Sequence, residues 1–195
     1  MIDSREHLDL IEAAVGRVPD PPIRVCIDFD ASYWLAFGKL RIGPKRTPLH
    51  DPGSARRLAE DIVARPGFAL AGLMSYEGHI AGLGDIVPGN PLKSLAVSRL
   101  QRASYAELRA RRAEAVASVQ AVAPLDLVNA GGTGDLQLIA NEEAVTEGTA
   151  GSGFYAPALF DTYSAFRLEP AAMFALPVCR RPSPDVVTAL GGGYL

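Results

Sequence analysis

The residues Val128-Asn129-Ala130-Gly131-Gly132-Thr133-Gly134 combine types that suit an anion. Glycines allow positive φ and let backbone N–H groups approach a charged oxygen, and a threonine hydroxyl adds one more donor. The stretch follows a short apolar run at 125–129, so it reads as a strand opening into a phosphate loop, although an ordinary turn fits the same residues. A second small-residue stretch, Ala150-Gly151-Ser152-Gly153, follows another extended run at 144–147. Two such loops after successive strands suggest one phosphate group held from two sides, as at the mouth of a TIM barrel; for the second loop a plain turn is the alternative.

Other chemistry-bearing residues are sparse. Asp28 and Asp30 end an alternating stretch. They are either paired carboxylates for a metal or a proton, or partners of loop N–H groups and of an arginine such as Arg46. His79 lies three residues beyond Tyr76 at a strand end, where an acid/base group could serve, though a loop histidine without chemistry fits equally. His7 and His50 read as surface residues. The lysines are Lys39, Lys45 and Lys93. Cys26 and Cys179 are far apart without metal-ligand spacing, and read as buried free thiols of a reducing compartment.

The elements that must position these residues alternate along the chain. Apolar spacing predicts a helix at 5–16 behind Ser4, and the opening Met-Ile-Asp reads as the tail of a strand. A strand at 23–30, a loop at 38–51, a helix from Ser54 to residue 65 and a strand at 68–74 follow. Residues 80–95 read as a long Gly/Pro-rich loop beside the site. A long helix at 97–122 carries Arg99, Arg102, Arg109, Arg111 and Arg112 on a face read as solvated. A strand at 125–129 leads into the first loop, and a short helical piece at 136–141 lies between it and the second. This is the βα alternation of a parallel α/β protein. Past Tyr155 it fails: an irregular aromatic stretch precedes strands at 173–179 and 186–190, so a β architecture begins near Ala171, and residues 190–195 read as part of a strand or turn.

With 195 residues, 48% of them hydrophobic, the chain can bury a substantial core in one domain. Its net charge of −3 and the absence of any basic run beyond local pairs argue against nucleic-acid binding. No apolar stretch approaches the length of a membrane span and no signal-peptide pattern opens the chain, which predicts a cytoplasmic protein.

Several blocks in order, Cys26-Ile27-Asp28-Phe29-Asp30, Lys45-Arg46-Thr47, Gly72-Leu73-Met74-Ser75-Tyr76-Glu77-Gly78, Asn129 to Gly134 and Ala150 to Tyr155, resemble fold-type III pyridoxal-phosphate (PLP) enzymes. The likeness is to the D-threonine aldolase and D-serine dehydratase branch and to amino-acid deaminase/aldolase and alanine racemase N-terminal proteins. It implies an α/β fold, a partial TIM barrel of the alanine racemase N-terminal type at 1–170, with the first strands of a β domain at 171–195.

The resemblance further implies PLP as cofactor and a small D- or hydroxy-amino acid as substrate, for racemisation, retro-aldol cleavage or dehydration. Arg46 matches an arginine near the pyridine nitrogen, which it would keep unprotonated. Tyr76 matches a catalytic tyrosine near the cofactor ring or substrate, the alternative being a half-buried aromatic with its hydroxyl satisfied. Gly132, Thr133 and Gly134, with Gly151 and Ser152, match the phosphate cradle. The family's histidine follows its tyrosine directly, where this chain has Glu77, so His79 receives no catalytic role. The family's Schiff-base lysine ends the first barrel strand, and Lys39, Lys45 and Lys93 match no such motif, nor does the chain reach the branch's metal ligands. These departures predict the middle of a longer enzyme, inactive alone, with exposed strand edges that lead either to a homodimer or to poor solubility. The alternatives are a noncatalytic PLP-binding module and a barrel enzyme whose substrate carries the phosphate.

Overall fold

The computed structural model describes residues 1–192. The last part of the expected strand or turn at 190–195, residues 193–195, lies outside them. A parallel sheet is the frame: β1 (Ile23–Asp28), β4 (Phe68–Ser75), β5 (Leu127–Ala130) and β6 (Glu147–Gly148) lie side by side in that order. Ile2 joins the far edge through a parallel bridge to Ile27, donating its N–H to Cys26 O (2.9 Å) and accepting from Asp28 N–H (2.8 Å). The strand-like reading of Met-Ile-Asp therefore holds.

Helices α1 (Arg5–Val15), α2 (Pro52–Val63) and α4 (Pro91–Gln120) complete the layer architecture. Period-2 alternation sends Val25 and Ile27 into a core with Leu58 and Ile62 of α2, Leu73 and Val128 of the neighbouring strands, and Val116 and Val119 of α4. Cys26 and Asp28 alternate with that set and stay partly exposed. Gly72 has no side chain because β5 runs against it: a Cβ there would sit 2.5 Å from Leu127 O. Among the described residues no helix is long and apolar enough to cross a membrane.

Four boundaries depart from the sequence reading. The loop at 38–51 opens on a small hairpin, β2 (Tyr33–Leu35) with β3 (Leu40–Ile42), whose turn puts Ala36, Phe37 and Gly38 at φ of 49°, 56° and 81°. Strands of three residues give no readable period, and two of the three left-handed positions are not glycine. Helix α2 starts before Ser54, with Pro52 in its first turn and the Asp51 carboxylate accepting from Ser54 N–H (2.9 Å). The supposed loop at 80–95 contains the short helix α3 (Gly78–Ala81) and the first turn of α4, capped by Asn90 through Lys93 N–H (2.9 Å). Finally, the strand expected from 173 begins at Val178, where β7 (Val178–Ser183) pairs antiparallel with β8 (Val186–Ala189).

Two side-chain readings are corrected as well. Cys179 is exposed rather than buried; Cys26 is partly buried, and burial pushes its thiol up to about 11. His50 is not a surface residue. Its ring stacks on Trp34 with centroids 3.7 Å apart, and its Nδ1 lies 3.2 Å from Asp30 Oδ2.

Candidate functional site

The carboxyl ends of the parallel strands open into a cavity of about 400 Å³, in the range of small-ligand sites. Met74 and Asn129 line it from β4 and β5, Tyr76 from just past β4, and Gly132 and Thr133 from the loop after β5. Thr149, Gly151 and Ser152 close it from beyond β6, and Leu159 and Phe160 from a 3-10 turn at Ala158–Thr162. Arg46 enters from the segment after β3, so residues over a hundred positions apart meet at one strand-end edge, as parallel α/β folds arrange their ligands. An adjoining open depression shares Arg46, Tyr76 and Gly82 and adds His79, Gly43 and Pro44.

Of the residues singled out from sequence, Arg46, Tyr76, Gly132, Thr133, Gly151 and Ser152 all border the main cavity. Gly134 does not. A Cβ there would stand 2.3 Å from Ala81 O and 2.5 Å from Tyr163 Cε1, so Gly134 lets the loop pack tightly on the wall behind. Gly132 is similarly confined, its missing Cβ falling 2.9 Å from Ala81 Cβ and 3.2 Å from Tyr76 Cε2. Gly131 adopts φ of 78°, the left-handed turn out of β5.

The two loops are joined directly. Gly153 N–H donates to Thr133 Oγ1 at 2.9 Å. The hydroxyl accepts in that bond, so its own proton remains to be donated elsewhere. Opposite, the Arg46 guanidinium lies 5.2 Å from the Tyr76 ring centroid and 3.8 Å from Asp28 Oδ1. Burial raises the Asp28 carboxyl and the Arg46 charge opposes that rise. Asp30 turns away from the cavity: it accepts from Ser32 N–H (3.1 Å), Ser32 Oγ (2.7 Å) and Trp34 Nε1 (3.1 Å). Burial works against its charge, but the bonds from His50 and Ser32 outweigh it and hold the carboxyl below its usual range. The two aspartates therefore do not act as a pair.

None of the three lysines lines the cavity. Lys39 is in the β2–β3 turn, Lys45 is exposed beside Arg46, and Lys93 is in the first turn of α4. His79 places Nε2 2.5 Å from the buried Ser104 Oγ, and burial lowers its basicity.

Behind the glycine loop lies a buried ionic cluster that the sequence reading missed. Arg112 is completely buried in α4; it pairs with Glu77, also completely buried, and its Nη1 lies 3.5 Å from Glu142 Oε1. Arg111, beside it, donates to Asp30 O (2.7 Å) and Ser32 O (3.1 Å) and pairs with Glu107. The reading of both arginines as a solvated face is thus overturned. One signal was available: Leu108, Arg112, Ala115, Val116 and Val119 follow one helical stripe, which puts Arg112 on the apolar face. The carboxylates hold the loop from inside, Gly131 N–H donating to Glu77 Oε2 (2.9 Å) and Gly132 N–H to Asp135 Oδ1 (2.9 Å).

The aromatic stretch clamps this wall in place. Tyr163 OH donates to Ala81 O (2.9 Å), Ile86 N–H to Thr162 O (2.8 Å) and Ser164 N–H to Asp85 Oδ1 (2.8 Å). Phe160, Tyr163 and Phe166 pack together with ring centroids 5.3 to 5.8 Å apart.

Among solved structures, the D-threonine aldolase from Filomicrobium marinum superposes with a TM-score of 0.63 at 20% identity. The alignment covers 93% of this chain and 43% of the aldolase. The D-threo-3-hydroxyaspartate dehydratase from Delftia sp. HT23 gives a TM-score of 0.52 at 18% identity, over 82% of this chain and 35% of the dehydratase. The chain shares their fold. The expected α/β fold thus holds, and the chain spans less than half the length of either structure. No family model matches it, and no curated protein does.

Proposed function

We propose that this chain forms the PLP-binding part of an amino-acid enzyme of the D-threonine aldolase type. One observation carries the reading: two small-residue loops, tied by the Thr133–Gly153 hydrogen bond, border one cavity with a guanidinium and a phenol. That donor set fits the cofactor. A phosphate dianion needs donors at a surface without bulky side chains; Thr133 and Ser152 supply hydroxyls, and Gly132 and Gly151 keep that surface clear of side chains. Arg46 would face the pyridine nitrogen; a guanidinium cannot give up its proton there, so the nitrogen would stay unprotonated. PLP, when bound, supplies an electron sink for charge developing at the substrate Cα.

The chain's own residues then orient and move protons. Arg46 lies close to the Tyr76 ring, an arrangement suited to fixing the phenol, whose O–H is the proton carrier at the substrate. Leu159 and Phe160 border the cavity and exclude water from that side. With no lysine on the cavity, the chain would hold PLP through its phosphate without a covalent bond of its own. The wider reaction, with a D- or hydroxy-amino acid as substrate, and any pairing of two copies belong to the same reading.

A visible spectrum of the chain titrated with PLP, before and after borohydride, tests the assignment. The expected result is saturable binding that is competed by pyridoxine 5′-phosphate and leaves no reduced adduct on a cavity residue. Equal affinity for pyridoxal, which lacks the phosphate, would overturn it. Stronger competition by a non-pyridoxal phosphoester would show that the substrate brings the phosphate.

A further inference from the structure

We infer that Asp135 is a positioning residue that couples anion binding on the outer side of the glycine loop to the uptake of a proton behind it. The inference deepens the phosphate-cradle reading and rests on it.

The geometry is that of a loop held between two charges. Gly131 and Gly132 turn their N–H groups inward, onto Glu77 Oε2 and Asp135 Oδ1, so neither is free for an anion. The carboxylates thereby fix the orientation of the loop and leave its outer side to Thr133, whose hydroxyl proton is unspent. Asp135 is completely buried, and its Oδ2 makes no hydrogen bond among the described residues. An ionised oxygen in that position has lost its water without gaining a donor.

Three charged groups and one neutral phenol face Asp135 from four directions. Glu77 lies past β4, Arg112 on α4, Glu142 beyond α5 (Leu136–Ile139), and Tyr163 in the aromatic turn. Three carboxylates thus share one guanidinium behind the loop. Burial first, and then the Glu77 charge, push Asp135 up to about 7; burial also raises Glu142, against the pull of Arg112. An anion on the outer side adds one more negative charge across the loop from Asp135 and favours the protonated acid. By linkage, the proton must favour the anion to the same degree.

The sign follows directly. As pH rises through the Asp135 titration, the carboxylate forms behind the loop and anion affinity falls. Sulfate is the suitable probe because it does not titrate in this range. For the full chain, the sulfate dissociation constant is expected to rise about five- to tenfold from pH 6 to pH 8.5. Asp135→Asn keeps an oxygen for Gly132 N–H and cannot ionise, so its sulfate affinity should vary little over the same interval. In the unmodified chain, the ¹³Cγ resonance of Asp135 should titrate at higher pH with saturating sulfate than without, a readout independent of how the variant folds. Equal pH slopes in the two proteins, or an Asp135 midpoint unmoved by sulfate, would overturn the coupling while leaving the anion site standing. No sulfate binding at any pH would overturn the anion site and the coupling together.

Discussion

Replacing Arg112 by Met tests whether the glycine loop is held from within. The guanidinium is completely buried, paired with Glu77 and 3.5 Å from Glu142, and Met fills a similar volume without charge. After the change, Glu77 keeps the Gly131 N–H but loses its counter-charge, in a pocket that also holds Asp135 and Glu142. Removing one member of a buried pair typically costs about 3–5 kcal/mol, because the other is left as an uncompensated charge. For a chain of 195 residues that corresponds to a fall in melting temperature of roughly 6–20 °C. Urea unfolding followed by circular dichroism reads the loss, and Arg112→Met combined with Glu77→Gln supplies the control. The amide that Glu77→Gln introduces can still accept the Gly131 N–H through its oxygen while carrying no charge, so the double variant should recover at least about half of the deficit. A loss below about 1 kcal/mol for the single variant, the size of an ordinary exposed pair, would refute a sealed cluster behind the loop. A double variant no better than the single one would refute the assignment of the cost to Glu77.

Gly132→Ala should destabilise by about 1–3 kcal/mol, because its Cβ would lie 2.9 Å from Ala81 Cβ; thermal melts of Gly132→Ala with and without Ala81→Gly should show partial rescue. Thr133→Val removes the acceptor for Gly153 N–H and the free hydroxyl proton, so affinity for pyridoxine 5′-phosphate, read by fluorescence titration, should fall about tenfold while Thr133→Ser retains most of it. The carboxyl of Asp135 is raised from 3.8 to about 7 in the folded chain, so between those values the folded state binds the extra proton and stability declines as pH rises. Its contribution is at most about 4 kcal/mol, and the difference between urea midpoints at pH 5 and pH 8 should narrow in Asp135→Asn.

Much of the frame was legible because it rests on local patterns. The core strands are short apolar or alternating runs, each loop after them begins with small or polar residues, and α1 and α2 show plain apolar stripes ended by Gly16 and Pro66-Gly67. The glycines announced the cavity because few other residues suit such a turn. What escaped was non-local. Arg112 resembles its exposed neighbours Arg102 and Arg109 in type, and only the fold brings Glu77 and Glu142 to it from 35 and 30 residues away. Phe37 in a left-handed turn and Trp34 stacked on His50 escaped similarly, since neither follows from propensity.

The cavity's walls are cross-tied rather than built from self-supporting loops. Thr133 ties the first loop to the second, Glu77 and Asp135 tie the first loop to the interior, and Tyr163 ties the aromatic turn to Ala81. All but the short Gly132–Asp135 bond join segments distant in sequence, so no loop needs to be stable alone, and the burden falls on a few groups with little exposure to water. Buried polar bonds of this kind resist small distortions but leave costly orphans when one partner goes. The position of Gly132 and Thr133 is therefore set more by carboxylates that never reach the cavity than by the glycines themselves, and a ligand that needs those two residues depends on the charge state of the wall behind them.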